Sequence, residues 1–193
     1  GHSQGVRFAV DPDSGALGQP EAVHWPAGVD TTMSWPKLSA GSQLLLAYRN
    51  QNALPMLSKS KDGLHFEAPV LVGPTTGGAM AEAAPFGAHG FAYTFQAPVA
   101  GETLVSFLRL SGDGHTHSDV QRVTENSSND NDTAIQPRKD GGVALYYIYP
   151  VDQHGFSLFR RGIGPDAVMG PEQRLTDASA GDTMKPNASR LAD

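Results

Sequence analysis

The sequence predicts an all-β fold built from repeated four-stranded antiparallel units. Three observations predict it. A Ser-x-Asp-Gly-x-x-aromatic turn at Ser60-Lys61-Asp62-Gly63-Leu64-His65-Phe66 returns as Ser111-Gly112-Asp113-Gly114-His115-Thr116-His117, with weaker copies around Asp13 and Asp166. The turn carboxylates Asp13, Asp62, Asp113 and Asp166 stand 49, 51 and 53 residues apart. A second marker, Pro36, Pro85, Pro137 and Pro186, keeps intervals of 49, 52 and 49 residues. Two markers on one period of about 50 residues describe a β-propeller of four-stranded blades.

The elements follow in chain order. Residues 6–24 read as a partial unit: two strands, Val6 to Val10 and Glu21 to His24, around the Asp11–Gly15 turn. The unit 33–73 holds Trp35–Ser39 as strand a, the apolar run Gln43–Arg49 as strand b, Leu54–Ser58 as c and Ala68–Val72 as d. The unit 80–124 holds Gly90–Gln96 as b, Thr103–Leu110 as c and Val120–Thr124 as d. The unit 134–176 holds Gly142–Tyr149 as b, Gly155–Arg160 as c and Glu172–Thr176 as d. A last partial unit, 182–193, begins another strand a at Pro186–Leu191. Asp-Thr pairs precede three of the marker prolines: Asp30-Thr31, Asp132-Thr133 and Asp182-Thr183. The strand b runs are nearly continuous in apolar residues, so they are expected to be the most buried segments, as strands covered on both faces are.

The inventory is four c–d hairpins, four a strands and three b strands. An unpaired strand exposes a row of N–H and C=O groups. The expectation is a portion of a larger propeller, completed by a second chain or a second copy.

Composition excludes some functions. The chain has 193 residues and a formal charge of −6, which argues against nucleic acid held through its phosphates. No apolar run is long enough for a membrane span. Cysteine is absent, so neither disulfides nor thiolate sites occur. Gly1-His2-Ser3 reads as a mature start, and a secreted or periplasmic location is the expectation.

The Asp-Gly turns have a physical basis. Glycine supplies a positive φ at no steric cost, and the Asp carboxylate can accept N–H bonds of its own turn. The aromatic that follows folds back beneath the hairpin. This pattern resembles the Asp-box, or BNR repeat, of sialidase-like β-propellers, whose form is Ser-x-Asp-x-Gly-x-Thr-Trp; here Asp-Gly is contiguous, and Phe66 and His117 stand where the Trp would be. The resemblance implies that the c–d turns are architectural. It places ligands at the opposite face, on the d-to-a and b-to-c connections.

Those connections supply the candidate residues. His24 to Trp35 contains both tryptophans, Trp25 and Trp35, with Asp30 between them. They form either a sugar-stacking surface with a hydroxyl acceptor or a pair of blade-packing rings. Glu125 to Thr133 is the longest fully polar stretch. Asp130 and Asp132, with Asn129 and Asn131, could bind Ca²⁺ through oxygen or simply form a solvated Asx turn. Arg49 after the first strand b, Gln96 after the second, and Asp152-Gln153-His154 after the third converge if the blades are radial. Arg49 would suit a carboxylate or sulfate, and Asp152 or His154 would suit acid–base work, against the alternative of rim solvation. His115 and His117 could share a metal ion as alternate residues of a strand, but the repeat assigns His117 to packing under its turn. No further metal site or cofactor is expected.

Sialidases carry an arginine triad, a Tyr–Glu nucleophile pair and an Asp acid/base. Their early Arg-Ile-Pro motif has no counterpart here; Arg7-Phe8-Ala9 occupies that region, and Arg49, Arg138 and Arg190 are the arginines near inner positions. The resemblance therefore points to glycan recognition or processing, with a glycoside hydrolase as one form. A non-catalytic lectin or adhesion module and a protein-interaction scaffold are the alternatives. Fold does not choose among them.

Overall fold

The computed structural model describes residues 5–30, 32–74, 79–100, 104–113, 116–124, 131–151 and 156–176. The described chain is all-β. A two-stranded sheet of β1 (Val6–Arg7) and β2 (Glu21–Ala22) is followed by three four-stranded antiparallel sheets. The first runs β3 (Ser34–Ala40), β4 (Leu44–Arg49), β5 (Pro55–Ser60) and β6 (Val70–Leu71). The second runs β7 (Ala79–Phe86), β8 (Gly90–Pro98), β9 (Leu104–Ser111) and β10 (Gln121–Arg122). The third runs β11 (Asn131–Pro137), β12 (Val143–Pro150), β13 (Phe156–Ile163) and β14 (Gln173–Arg174). Each is a simple meander in which consecutive strands pair. No helix long and apolar enough to cross a membrane occurs among the described residues.

The sheets stack face to face in chain order and meet along their first strands. β7 touches β3 on one side and β11 on the other. The Glu82 carboxylate ties the three together: Lys37 Nζ lies 3.0 Å from its Oε1, and the Ile135 N–H donates to its Oε2 at 3.1 Å. This arrangement of blades radiating from adjoining first strands is that of a β-propeller. Leu45, Ala47 and Leu57 of the first sheet pack on Phe91, Tyr93 and Phe95 of the second. Ala84, Phe86 and Leu108 of the second pack on Val143, Leu145 and Tyr147 of the third.

Burial explains the composition of the second strands. β8 lies between two sheets, and every residue from Gly90 to Ala97 is buried. Its face toward the first sheet accordingly is apolar, with Phe91, Tyr93, Phe95 and Ala97, while the other face carries Ala92 and the buried polar Thr94 and Gln96. β4 differs, with Leu44 and Leu46 only half-buried between buried Leu45 and Ala47. The outermost strands β6, β10 and β14 are two residues each, shorter than the sequence suggests, and so present little open edge.

Two expectations need correction. The carboxylate that caps the first turn is Asp11, not Asp13: its Oδ1 accepts the N–H groups of Asp13 at 3.0 Å and Ser14 at 2.8 Å. A carboxylate reaches N–H groups two and three residues onward, and only Asp11 has the turn that far ahead of it, with Gly15 at φ 71° completing the reversal. The prolines of the second marker sit at unequal heights. Pro36 is the third residue of β3, Pro85 the last but one of β7, and Pro137 the last of β11. Pro186 and the strand proposed at Pro186–Leu191 lie outside the described residues.

Candidate functional site

Each four-stranded sheet has two unlike ends. At one, the turn end, lie the tight reversals. Ser60 to Phe66 is the best formed. Asp62 Oδ1 accepts the N–H groups of Leu64 and His65, both at 2.8 Å, and the Ser60 hydroxyl at 3.1 Å. The Ser60 Oγ in turn accepts the Gly63 N–H at 2.9 Å, with Gly63 at φ 75°. The His65 imidazole closes on Asp62 Oδ2 at 2.7 Å. These contacts, the His65 N–H first, then its imidazole and the Leu64 N–H, hold the Asp62 carboxyl well below the usual carboxylate range. The second turn repeats the device: Asp113 accepts the Thr116 N–H at 2.7 Å and its hydroxyl at 2.8 Å. His117 packs against Phe91 and edge-on to Tyr93, and its Nδ1 lies 3.0 Å from the Tyr93 hydroxyl. Burial lowers its pKa. His115 lies outside the described residues.

At the other end, the loop end, the first strands begin and the second strands finish. Ser34 pairs with Arg49, Ala79 with Gln96 and Asn131 with Ile148. All three first strands carry a register irregularity there, at Ser34/Lys37, Ala79/Glu82 and Asn131/Thr133. Such bulges turn side chains out of the regular alternation. Arg49 is half-buried and donates from Nε to Ser34 Oγ at 3.2 Å. Asp30, also half-buried, accepts the Thr32 N–H at 2.9 Å. Beneath them, Tyr48 is fully buried, and burial first and the Asp30 charge second push its hydroxyl up to about 12. Thr94 and Thr133 join the second and third sheets through their hydroxyls at 3.2 Å. Asn50 is spent on its own turn, accepting the N–H groups of Asn52 and Leu54, both at 3.0 Å.

The structure thus brings Asp30 and Arg49 to one end of the molecule. Gln96 shares that end but is buried, because β8 runs on to Pro98 and encloses it; the sequence-based placement in an exposed connection is corrected. Trp25 is elsewhere. Its ring stacks on Phe66, centroids 5.0 Å apart, beside the turn end. Arg138 is also at the turn end, between β11 and β12, where its Nη2 donates to Asp140 Oδ2 at 2.6 Å. Trp35 and Asp132 lie on β3 and β11, with side chains outside the described part; Asp130, Asp152, His154 and Arg190 lie outside the described residues. Among the described residues no group of three His, Asp or Glu side chains could hold a metal ion. Tyr48 and Ser34 escape notice in the sequence, although an aromatic near the end of strand b recurs as Tyr48, Phe95 and Tyr147 and marks the position.

No known protein family matches the chain. No curated protein matches it. Among solved structures, the chain is similar to the crystal structure of a thermostable family-43 glycoside hydrolase, at 14% identity and a TM-score of 0.46, over 80% of this chain and 57% of that one.

Proposed function

We propose that the chain is a portion of a sialidase-like Asp-box β-propeller that recognises or processes glycans at its loop end. The observation that carries the reading is the pair of turns at Asp62 and Asp113. In each, one carboxylate accepts backbone N–H and the hydroxyl of a serine two residues before it, and an aromatic ring or imidazole folds beneath. Turns built in this way are occupied by their own backbone, which leaves the opposite end for ligand.

At that end Arg49 would hold a carboxylate or sulfate through its planar fork of donors. Asp30 would accept sugar hydroxyls, and Trp35 would offer a stacking face. Asp132 would add hydroxyl contacts, with Asp130 a Ca²⁺ ligand beside it. Asp152 or His154 would supply acid–base chemistry in a hydrolysing form. A secreted or periplasmic location suits such a protein.

The test is a glycan array together with a broad glycosidase screen on the complete assembly. Hydrolysis supports a glycoside hydrolase. Binding without turnover supports a lectin. Neither binding nor turnover overturns the glycan reading in favour of a protein scaffold.

A further inference from the structure

One face of the first sheet is unlike its counterparts in the other two. In the second sheet the corresponding position of the first strand is Ala83, paired with Tyr93 and 6% exposed. In the third it is Ile135, paired with Leu145 and 8% exposed. In the first it is Leu38, paired with Leu46 and 62% exposed. Leu44 and Leu46 are half-buried, whereas Phe91 and Tyr93, and Val143 and Leu145, are buried.

The cause is what covers each face. Phe91 and Tyr93 lie against Leu45 and Ala47 of β4, together with Leu57 of β5. Val143 and Leu145 lie against Ala84 and Phe86 of β7 and Ala92 of β8. In both cases the first or second strands of the preceding sheet help supply the cover. The sheet that precedes β3–β6 is β1–β2, which has the capped turn at Asp11 and, among the described residues, no strand on the other edge of β1. Where two strands would stand there is a cleft of about 370 Å³, lined by Val6, Val23, Trp25, Leu38, Leu44 and Phe66 among others. Among the described residues its one charged wall residue, Arg7, already gives its guanidinium to Glu21 and to the Asp62 carbonyl. The cleft therefore calls for apolar groups and not for an acidic ligand.

We infer that this cleft is the docking site for a two-stranded antiparallel hairpin from polypeptide outside residues 1–193. The hairpin adds to the edge of β1 by strand augmentation. It lays an apolar face on Leu38, Leu44 and Leu46, as Ala84, Phe86 and Ala92 do on the third sheet. The inference stands on sheet packing and does not depend on the glycan reading.

The chain has no cysteine, so single cysteines report accessibility cleanly. In the full chain, Leu38→Cys should react quickly with a maleimide and Ala83→Cys slowly. A peptide of residues 79–98, the β7–β8 hairpin, is the probe. It should slow labelling of Leu38→Cys severalfold and leave an exposed control, Leu17→Cys, unchanged. Isolated hairpins are marginally stable, so the same segment is also tethered ahead of Gly1 by a Gly/Ser linker to raise its local concentration. Absence of protection in both formats overturns the inference. Slow labelling of Leu38→Cys without the probe also overturns it: relief on dilution would identify a second copy as the occupant, and concentration-independent protection would identify the chain itself.

Discussion

The two ends of the sheets use acidic side chains differently. At the turn end, Asp11 and Asp62 each accept two N–H groups of their own reversal, and Asp113 accepts the N–H and hydroxyl of Thr116. At the loop end, Asp30 accepts the Thr32 N–H and sets its charge against the buried Tyr48 hydroxyl. The difference teaches that the number and regularity of carboxylates do not mark a site. The most periodic acids in the chain are the ones committed to backbone.

Mutations can break this contrast. The largest effect expected is at Tyr48, whose ring fills the floor of the loop end. Tyr48→Ala should cost about 3–5 kcal/mol, the usual penalty for truncating a buried ring, read from chemical denaturation. A cost near zero would mean that the loop end has no packed floor. Next come the turn acids. Asp113→Ala should cost about 1 kcal/mol. Asp62→Ala should likewise lower the melting temperature, since Asp62 accepts two N–H groups and the Ser60 hydroxyl and holds the His65 imidazole. Neither should change glycan binding; a stable variant that loses binding would move the site to the turns. Last comes Arg49→Ala, where the bond to Ser34 accounts for about 0.5–1 kcal/mol, with binding of acidic glycans abolished.

Acid should report on the turn carboxylate Asp62, and alkali on Tyr48 together with the equally raised Tyr93. Asp62 is depressed in the folded state, so its stabilising contribution is complete above about pH 4 and is lost as acid protonates the folded carboxylate. Asp62→Asn should flatten that acid limb. Tyr48 is raised, so its contribution is complete below about pH 10 and fades as the pH climbs towards 12. Ultraviolet titration should find Tyr48 among the last tyrosines to ionise, and Tyr48→Phe should remove part of the alkaline transition. An early, ordinary titration would place Tyr48 in solvent.

Much of the architecture is legible in the chain. The apolar runs Gln43–Arg49, Gly90–Gln96 and Gly142–Tyr149 announce three second strands, found at Leu44–Arg49, Gly90–Pro98 and Val143–Pro150, and the Asp-Gly turns announce the hairpins that follow. What the sequence obscures follows from physics that spacing does not encode. Asp11 and Asp13 are the same residue type two positions apart, and only the direction in which the turn closes selects Asp11. Gln96 looks like a loop residue, but two further strand residues, Ala97 and Pro98, bury it. Trp25 and Trp35 are close in sequence, yet Trp25 is drawn to Phe66 at the far end. The loop end is legible in part: Asp30 and Arg49 are found there, and the polar floor made by Ser34 and Tyr48 is a tertiary product.

The Glu82 carboxylate bears on how the molecule comes apart. A stack of repeated sheets is close to one-dimensional, and each unit can in principle melt with only its neighbour's consent. Glu82 spans that series, with Lys37 in the sheet before it and the Ile135 N–H in the sheet after it. Cutting this tether by Glu82→Ala strands a buried amide and uncouples the neighbours. A single calorimetric transition should then split in two, with the third sheet released first; a transition that stays single would show that the apolar interfaces alone carry the cooperativity.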